Sequence, residues 1–180
     1  MSVSFIHTPR LILRQWHDTD LEPYVAMNMD PEVMRYFPAL QSQKDSIAQV
    51  ARFQTFIEEN GFGFFAVERR DTGAFIGFTG LSRPRFESFF TPCIEIGWRL
   101  ARAHWGQGFA QEAARACLDM GFDKLNFNEI YSFTSQLNLP SLNVMKKIGM
   151  KEVGQFEHPL LPEGHPIKTH RLYKIERLIT

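Results

Sequence analysis

Ala101-Arg-Ala-His-Trp-Gly-Gln-Gly-Phe-Ala-Gln-Glu-Ala-Ala114 sets two glycines, Gly106 and Gly108, between an apolar run and a stretch of helical periodicity. Without a Cβ, both residues let the chain turn tightly and bring backbone N–H groups close to an anion. The helix that follows adds the positive end of its dipole. The stretch therefore reads as a phosphate cradle at a strand-to-helix junction, and its neighbours restrict which phosphate it takes. A Walker-type nucleotide loop needs Lys and then Ser or Thr after its last glycine, whereas Phe109 and Ala110 follow here. A dinucleotide fingerprint needs a small residue three positions after Gly108, and that position is Gln111. What remains is an anion site made of backbone amides, with no metal-binding hydroxyl and no cationic clamp inside the loop.

Working outward, the pattern predicts a mixed order of strands and helices. Leu11 to Trp16 alternates as a first strand, and Asp18 offers an N-cap for a helix through about Met29. Asp30-Pro31-Glu32 restarts a short helix. A third helix is expected from about Ser42 to Glu59, burying Ile47, Val50, Phe53, Phe56 and Ile57 and ending at Asn60-Gly61. Strands are expected at Gly63 to Arg69, Ala74 to Ser82 and Cys93 to Leu100, the first two joined by an Asp71-Thr-Gly73 hairpin turn. The helix after the glycines carries Ala110, Ala113, Ala114, Cys117, Leu118 and Gly121 on one face, small enough to pack closely on a sheet. A strand at Glu129 to Ser135 follows, then a helix bounded by Pro140 and Gly149, then strands near Lys151 to Glu157 and Ile167 to Arg177. The fold class is α/β (α+β): a mixed, mostly antiparallel central sheet flanked by helices, with residues 1–180 as one domain.

Composition narrows the class further. The 180 residues carry 20 Lys and Arg against 20 Asp and Glu. Zero formal charge and the lack of a basic run argue against nucleic-acid or anionic-membrane partners. Met1 to Arg10 lacks the apolar core of a signal peptide, and no stretch approaches the roughly 20 apolar residues of a membrane span, so a soluble cytoplasmic protein is expected. Cys93 and Cys117 have no paired spacing and read as buried, reduced thiols. The six histidines show no metal-ligand spacing, so no metal is expected.

Two blocks carry a family resemblance. Trp105-Gly106-Gln107-Gly108-Phe109-Ala110 is similar to the pyrophosphate loop of the GCN5-related N-acetyltransferase (GNAT) superfamily; it lacks that loop's leading Arg or Gln and carries Trp105 before the first glycine. The resulting Trp-Gly-Xaa-Gly-Phe-Ala-Xaa-Glu-Ala form resembles the RimJ/RimL-like branch of ribosomal-protein N-terminal acetyltransferases. Downstream, Asn138-Leu-Pro-Ser141-Leu-Asn-Val144-Met-Lys-Lys-Ile-Gly149-Met150 resembles the family's Asn-xx-Ser-xx-Val-xx-Lys-x-Gly-Phe/Met segment. The order and separation of the blocks make the joint match specific, and it spans nearly the whole chain.

The resemblance implies a GNAT fold and transfer of acetyl from acetyl-CoA to a primary amine by direct attack on the thioester. A protein N-terminal α-amine is the favoured acceptor. It implies that Gly106, Gln107, Gly108, Phe109 and Ala110, with Trp105, hold the pyrophosphate, and that the backbone of Trp98 and Leu100 pairs with pantetheine like an added strand. A backbone N–H near Gly97 or Trp98 is expected at the thioester oxygen. Asn138 is the expected carboxamide contact to pantetheine, or else a helix cap. Glu95 is the general-base candidate, or else a strand glutamate paired with Arg99, and Ser141 is the candidate acid for the leaving thiolate. Many relatives place a tyrosine acid where this chain has Met145. The acceptor walls are expected from Tyr36, Phe37, Pro38 and the Pro159 to His165 turn. The chain is expected to act as a monomer or homodimer. Two other readings share these features: a small-molecule amine or amino-acid acetyltransferase, and a non-catalytic CoA-binding or sensing module.

Overall fold

The computed structural model describes residues 6–177. Eight strands form one sheet in the order β1-β2-β3-β4-β5-β6-β8-β7: β1 Ile6–His7, β2 Leu11–Arg14, β3 Phe64–Arg69, β4 Phe75–Ser82, β5 Glu95–Leu100, β6 Glu129–Ser135, β7 Lys151–Glu157 and β8 Thr169–Glu176. Every neighbouring pair is antiparallel except β5 and β6. That parallel pair is held at its start by one register match, Glu95 with Tyr131, where the Tyr131 N–H donates to the Ile94 carbonyl at 2.8 Å. The Ser132 hydroxyl donates to the Ile96 carbonyl at 2.9 Å. Beyond this vertex the strands part, and one edge of β5 is left open toward its carboxyl end.

Four helices cover the sheet: α1 Leu21–Met29, α2 Gln43–Asn60, α3 Phe109–Asp119 and α4 Leu139–Lys147. On the α1/α2 side the core is aromatic. Trp16, Tyr24, Phe53, Phe64, Phe75 and Phe78 pack with ring centroids 4.9–6.4 Å apart, and the Trp16 indole donates to the Phe64 carbonyl at 2.8 Å. These spacings are the edge-to-face and tilted contacts that aromatic quadrupoles favour. On the α3 side Ala113, Ala114 and Cys117 are fully buried, so the small-residue face lets the helix lie close to the sheet. Gly121 continues it: a Cβ there would stand 2.8 Å from the Ile130 side chain.

Several expectations shift. The first turn after β2 is a tight 3-10 turn at Asp18–Asp20, and Asp20 rather than Asp18 accepts from the His17 N–H at 2.8 Å. Asp20 is chosen because Arg14 already pins its carboxylate through two bonds at 2.7 and 2.9 Å. Residues 31–36 form successive turns instead of a helix. In α2 the buried residues include Ser46, Val50 and Ile57, and Ile47 is turned out to 41% exposure. Ser46 takes the buried place because its hydroxyl accepts from the Asn28 amide at 3.1 Å, and a hydrogen-bonded hydroxyl is cheap to bury. The expected start near Ser42 and stop at Gly61, φ +75°, are both present, and the Ser42 side chain caps the helix by accepting from the Asp45 N–H. No strand was expected at β1, which is only two residues long.

Candidate active site

Because β5 and β6 are parallel, their carboxyl ends open on the same side, and α3 and α4 both begin there. Ligands of α/β sheets settle at such a divergence. At the mouth, Gly106 and Gly108 have φ of +72° and +79°, a left-handed conformation that favours glycine. A Cβ on Gly106 would meet nothing within 4 Å, so the space beside the turn at this residue is open. Gly108 precedes α3 and no side chain caps the helix, which leaves its first N–H groups to an external acceptor. Phe109 is buried, 4% exposed, and anchors the turn, while Gln107 lies exposed with its amide on the Ala103 carbonyl.

Arg10 and Glu112 complete this corner. The Glu112 carboxylate accepts from the Thr8 hydroxyl at 2.6 Å, the Arg10 N–H at 2.9 Å and the Arg10 Nε at 2.6 Å. These bonds hold its carboxyl below the ordinary value against the opposing effect of burial. Arg10 also donates to the Gln107 carbonyl at 2.9 Å and lies over the Phe109 ring at 4.5 Å. The glutamate of the motif thus ties the chain before β2 to the loop. A cation from outside the loop stands beside Gly108, where a Cβ would be 3.4 Å from Arg10 Nη2. Sequence reasoning missed this pair because it is separated by 102 residues.

Along β5 the backbone groups of successive residues face opposite edges. Ile94 and Ile96 turn theirs toward β6, so Trp98 and Leu100 face the open edge, and the Gly97 backbone faces β4. The Leu100 carbonyl is taken by the Trp105 indole at 2.8 Å, leaving the Trp98 groups and the Leu100 N–H. This is the work of Trp105: it closes the last carbonyl of the strand.

At the start of α4 the Asn138 carboxamide is engaged within the chain. Its oxygen accepts from the Ser141 N–H at 3.3 Å and its nitrogen donates to the Thr134 hydroxyl at 2.9 Å. The capping role is therefore what the geometry gives Asn138, with one lone pair of the oxygen left over. Ser141 sits half-exposed in the first turn, beneath the same mouth. Met145 is 1% exposed and belongs to the core.

Glu95 stands at the vertex. Among the described residues its carboxylate is in no hydrogen bond or ion pair, and burial pushes it up to about 7. The expected partner, Arg99, turns instead to Asn28 at 2.7 Å. Four residues along a strand span about 13 Å, too far for a direct pair. Gly97 lies between them, and a Cβ there would meet the Phe64 ring at 3.2 Å. Beside the vertex, Phe86, Phe90, Phe133 and Phe156 pack with His158 and His170 into a second apolar cluster. Burial holds His158 down to about 4. Tyr36 and Phe37 are half-buried, and Leu160 in the Pro159 to His165 turn is 75% exposed. Both thiols are pushed up to about 12 by burial, which makes them poor nucleophiles. Among the described residues no group of His, Cys, Asp and Glu is placed to hold a metal, and no helix is long and apolar enough to cross a membrane.

The chain is similar in sequence and fold to known proteins. Residues 10–151 match the family described as Acetyltransferase (GNAT) domain. An uncharacterized N-acetyltransferase of Bacillus subtilis (strain 168), YnaD, is 32% identical over 161 residues, 89% of each chain. The crystal structure of a GNAT-family acetyltransferase from Bacillus anthracis superposes with a TM-score of 0.79 at 27% identity, covering 96% of this chain and 98% of that one. The spermidine N-acetyltransferase of Vibrio cholerae, solved in complex with CoA and spermine, shares the fold with a TM-score of 0.73 at 22% identity, over 94% and 96%.

Proposed function

The chain belongs to the GNAT acetyltransferase family, and from that premise we propose that it acetylates the α-amine of a polypeptide N-terminus by direct attack on acetyl-CoA. That it is an acetyl-CoA-dependent acetyltransferase follows from the family. The acceptor and the residue roles are our reading, as is membership of the RimJ/RimL-like branch. The observation that carries the reading is the unpartnered Glu95 carboxyl at the vertex of a divergent parallel pair, with an uncapped helix N-terminus at its mouth.

In this reading the backbone amides from Gly106 to Ala110 receive the pyrophosphate, with Trp105 and Gln107 framing the turn. The open edge at Trp98 and Leu100 pairs with pantetheine. Of the two candidate N–H groups for the thioester oxygen, the one on Trp98 faces the open edge. Asn138 uses its remaining lone pair on the pantetheine arm. The amine lone pair attacks the acetyl carbon, the amine proton passes to Glu95, the C–S bond breaks, and the Ser141 hydroxyl relays a proton to the thiolate while taking one from solvent. A thiol with a pKa of about 8.5 needs little help, so Ser141→Ala is the smaller loss of the two.

A base near 7 is well matched to an α-amine at about 8 and poorly matched to a lysine at about 10.4, a difference of roughly 3 kcal/mol in deprotonation. The basicity of Glu95 therefore favours the α-amine. A peptide panel with free or acetylated N-termini, each with an internal lysine, tests this. We expect labelled acetyl on the free α-amine at least 10-fold faster than on lysine. Label on lysine alone, or on spermidine in preference to every peptide, would give the site to a small or side-chain amine instead. A non-catalytic CoA-sensing module would need no poised carboxyl at the vertex.

A further inference from the structure

Two arginines of this chain are equally buried and differently supplied. Arg14, 6% exposed, holds Asp20 through two bonds at 2.7 and 2.9 Å and Glu68 at 2.6 Å. Arg99, 7% exposed, holds a single neutral acceptor, the Asn28 carbonyl at 2.7 Å. Its Nε is buried with no hydrogen-bond partner among the described residues. A buried guanidinium normally pairs with a carboxylate, because desolvating the charge is costly. Here burial pushes its pKa down, with no carboxylate to raise it again.

The surroundings hold the guanidinium in place without neutralising it. Asn28 is fully buried, and its amide nitrogen donates to the Gln41 side chain at 3.0 Å and to Ser46 Oγ at 3.1 Å, which aims its carbonyl at Arg99. The Phe37 ring lies 4.0 Å from the guanidinium carbon, and that of Phe78 5.3 Å. Phe37 sits in the turn segment between α1 and α2. Arg99 also shares a strand face with Glu95, about 13 Å back along β5, and with Gly97, about 7 Å back. Gly97 contributes no side chain between them, and the Phe64 ring stands 3.2 Å from where its Cβ would be.

We infer that Arg99 receives a carboxylate of the acceptor, so that the amine acetylated belongs to a molecule that is anionic close to its amine. This rests on the acetyl-transfer reading above and names the acceptor class for it. The carboxylate has two possible sources, the α-carboxylate of a free amino acid and an acidic side chain at the start of a peptide. Both present a planar acceptor to a fork of N–H donors.

The test is kcat/KM for paired acceptors with acetyl-CoA. One arm sets L-amino acids against their primary amides; the other sets peptides with Asp or Glu in the first two positions against the same peptides with Asn or Gln. In the unmodified protein the carboxylate member should lead by roughly 10- to 100-fold, the worth of a hydrogen bond to a charged group, in the arm that holds the true source. Arg99→Gln should bring that ratio to within about threefold, and Arg99→Lys should restore part of it. Equal rates for acid and amide in both arms overturn the inference without needing any variant to fold. So does a protein that is stabilised by coenzyme A yet acetylates only amines lacking a carboxylate, or neither member of any pair. A protein that neither responds to coenzyme A nor acetylates anything overturns the acetyl-transfer reading itself, and this inference with it.

Discussion

Glu95→Gln is expected to lower kcat/KM by about 10²- to 10⁴-fold, the usual worth of a positioned general base, while making the protein more stable at pH 8. The two effects have one cause. Burial raises the Glu95 carboxyl to about 7 in the folded chain, against about 4.3 when unfolded. Below the unfolded value the group is neutral in both states and costs nothing. Between about 4.3 and about 7 the unfolded chain has released this proton while the folded chain keeps it, so stability falls across that window, by about 1 to 3 kcal/mol, and levels off above 7 where the folded carboxyl ionises too. Glutamine cannot ionise, so the variant escapes that loss. Its unfolding midpoint should exceed the parent's by a few degrees at pH 8 and converge with it near pH 4.5. In the parent, kcat/KM should fall tenfold per unit below an apparent pKa of about 7, and in the variant that limb should vanish. A variant that is less stable at pH 8 and keeps the acid limb would make Glu95 a structural residue.

Gly106→Val is expected to weaken coenzyme A binding roughly 10- to 100-fold, as loss of one charge-assisted hydrogen bond would. At φ +72° the substituted residue is strained by about 1 to 2 kcal/mol, and its side chain would enter the open space beside the loop that the cradle reading gives to the pyrophosphate. Strain alone must be separated from obstruction. Gly73 provides the comparison: it has φ +69° in the turn between β3 and β4, with nothing within 4 Å of its Cβ position. Gly73→Val should cost similar stability and leave coenzyme A affinity as it was. Equal losses of affinity in both variants would remove the cradle from the account.

How much of this was readable before the structure depends on whether a signal was local. Strands β6 and β7 lie where alternation and turn residues put them, as do the start of α2 near Ser42 and its stop at Gly61. The glycines at 106 and 108 were legible because a left-handed turn leaves few other choices of residue. Asp30 to Glu32 resembled a helix start, but the turns that follow are bound by contacts such as the Gln41 N–H on the Asn28 carbonyl at 3.2 Å, invisible to periodicity. The site was half legible. Glu95, Trp98 and Asn138 could be named, but whether their polar groups were free depended on partners elsewhere in the chain. Asn138 proved engaged by Thr134 and Ser141, and Leu100 by Trp105. Arg10 with Glu112, and Arg99 with Asn28, join residues 102 and 71 positions apart. No window along the chain contains either pair.

The central claim is that the open cradle before α3 and the free edge of β5 together take coenzyme A. Thermal unfolding in saturating acetyl-CoA, coenzyme A, ATP and NADH, run in parallel, tests it most directly. At about 100 times the dissociation constant a ligand stabilises by roughly 2.7 kcal/mol, a rise of a few degrees for a chain of this length. The account predicts that rise with acetyl-CoA and coenzyme A and none with the other two. A rise with ATP or NADH, and none with either coenzyme A form, would contradict it.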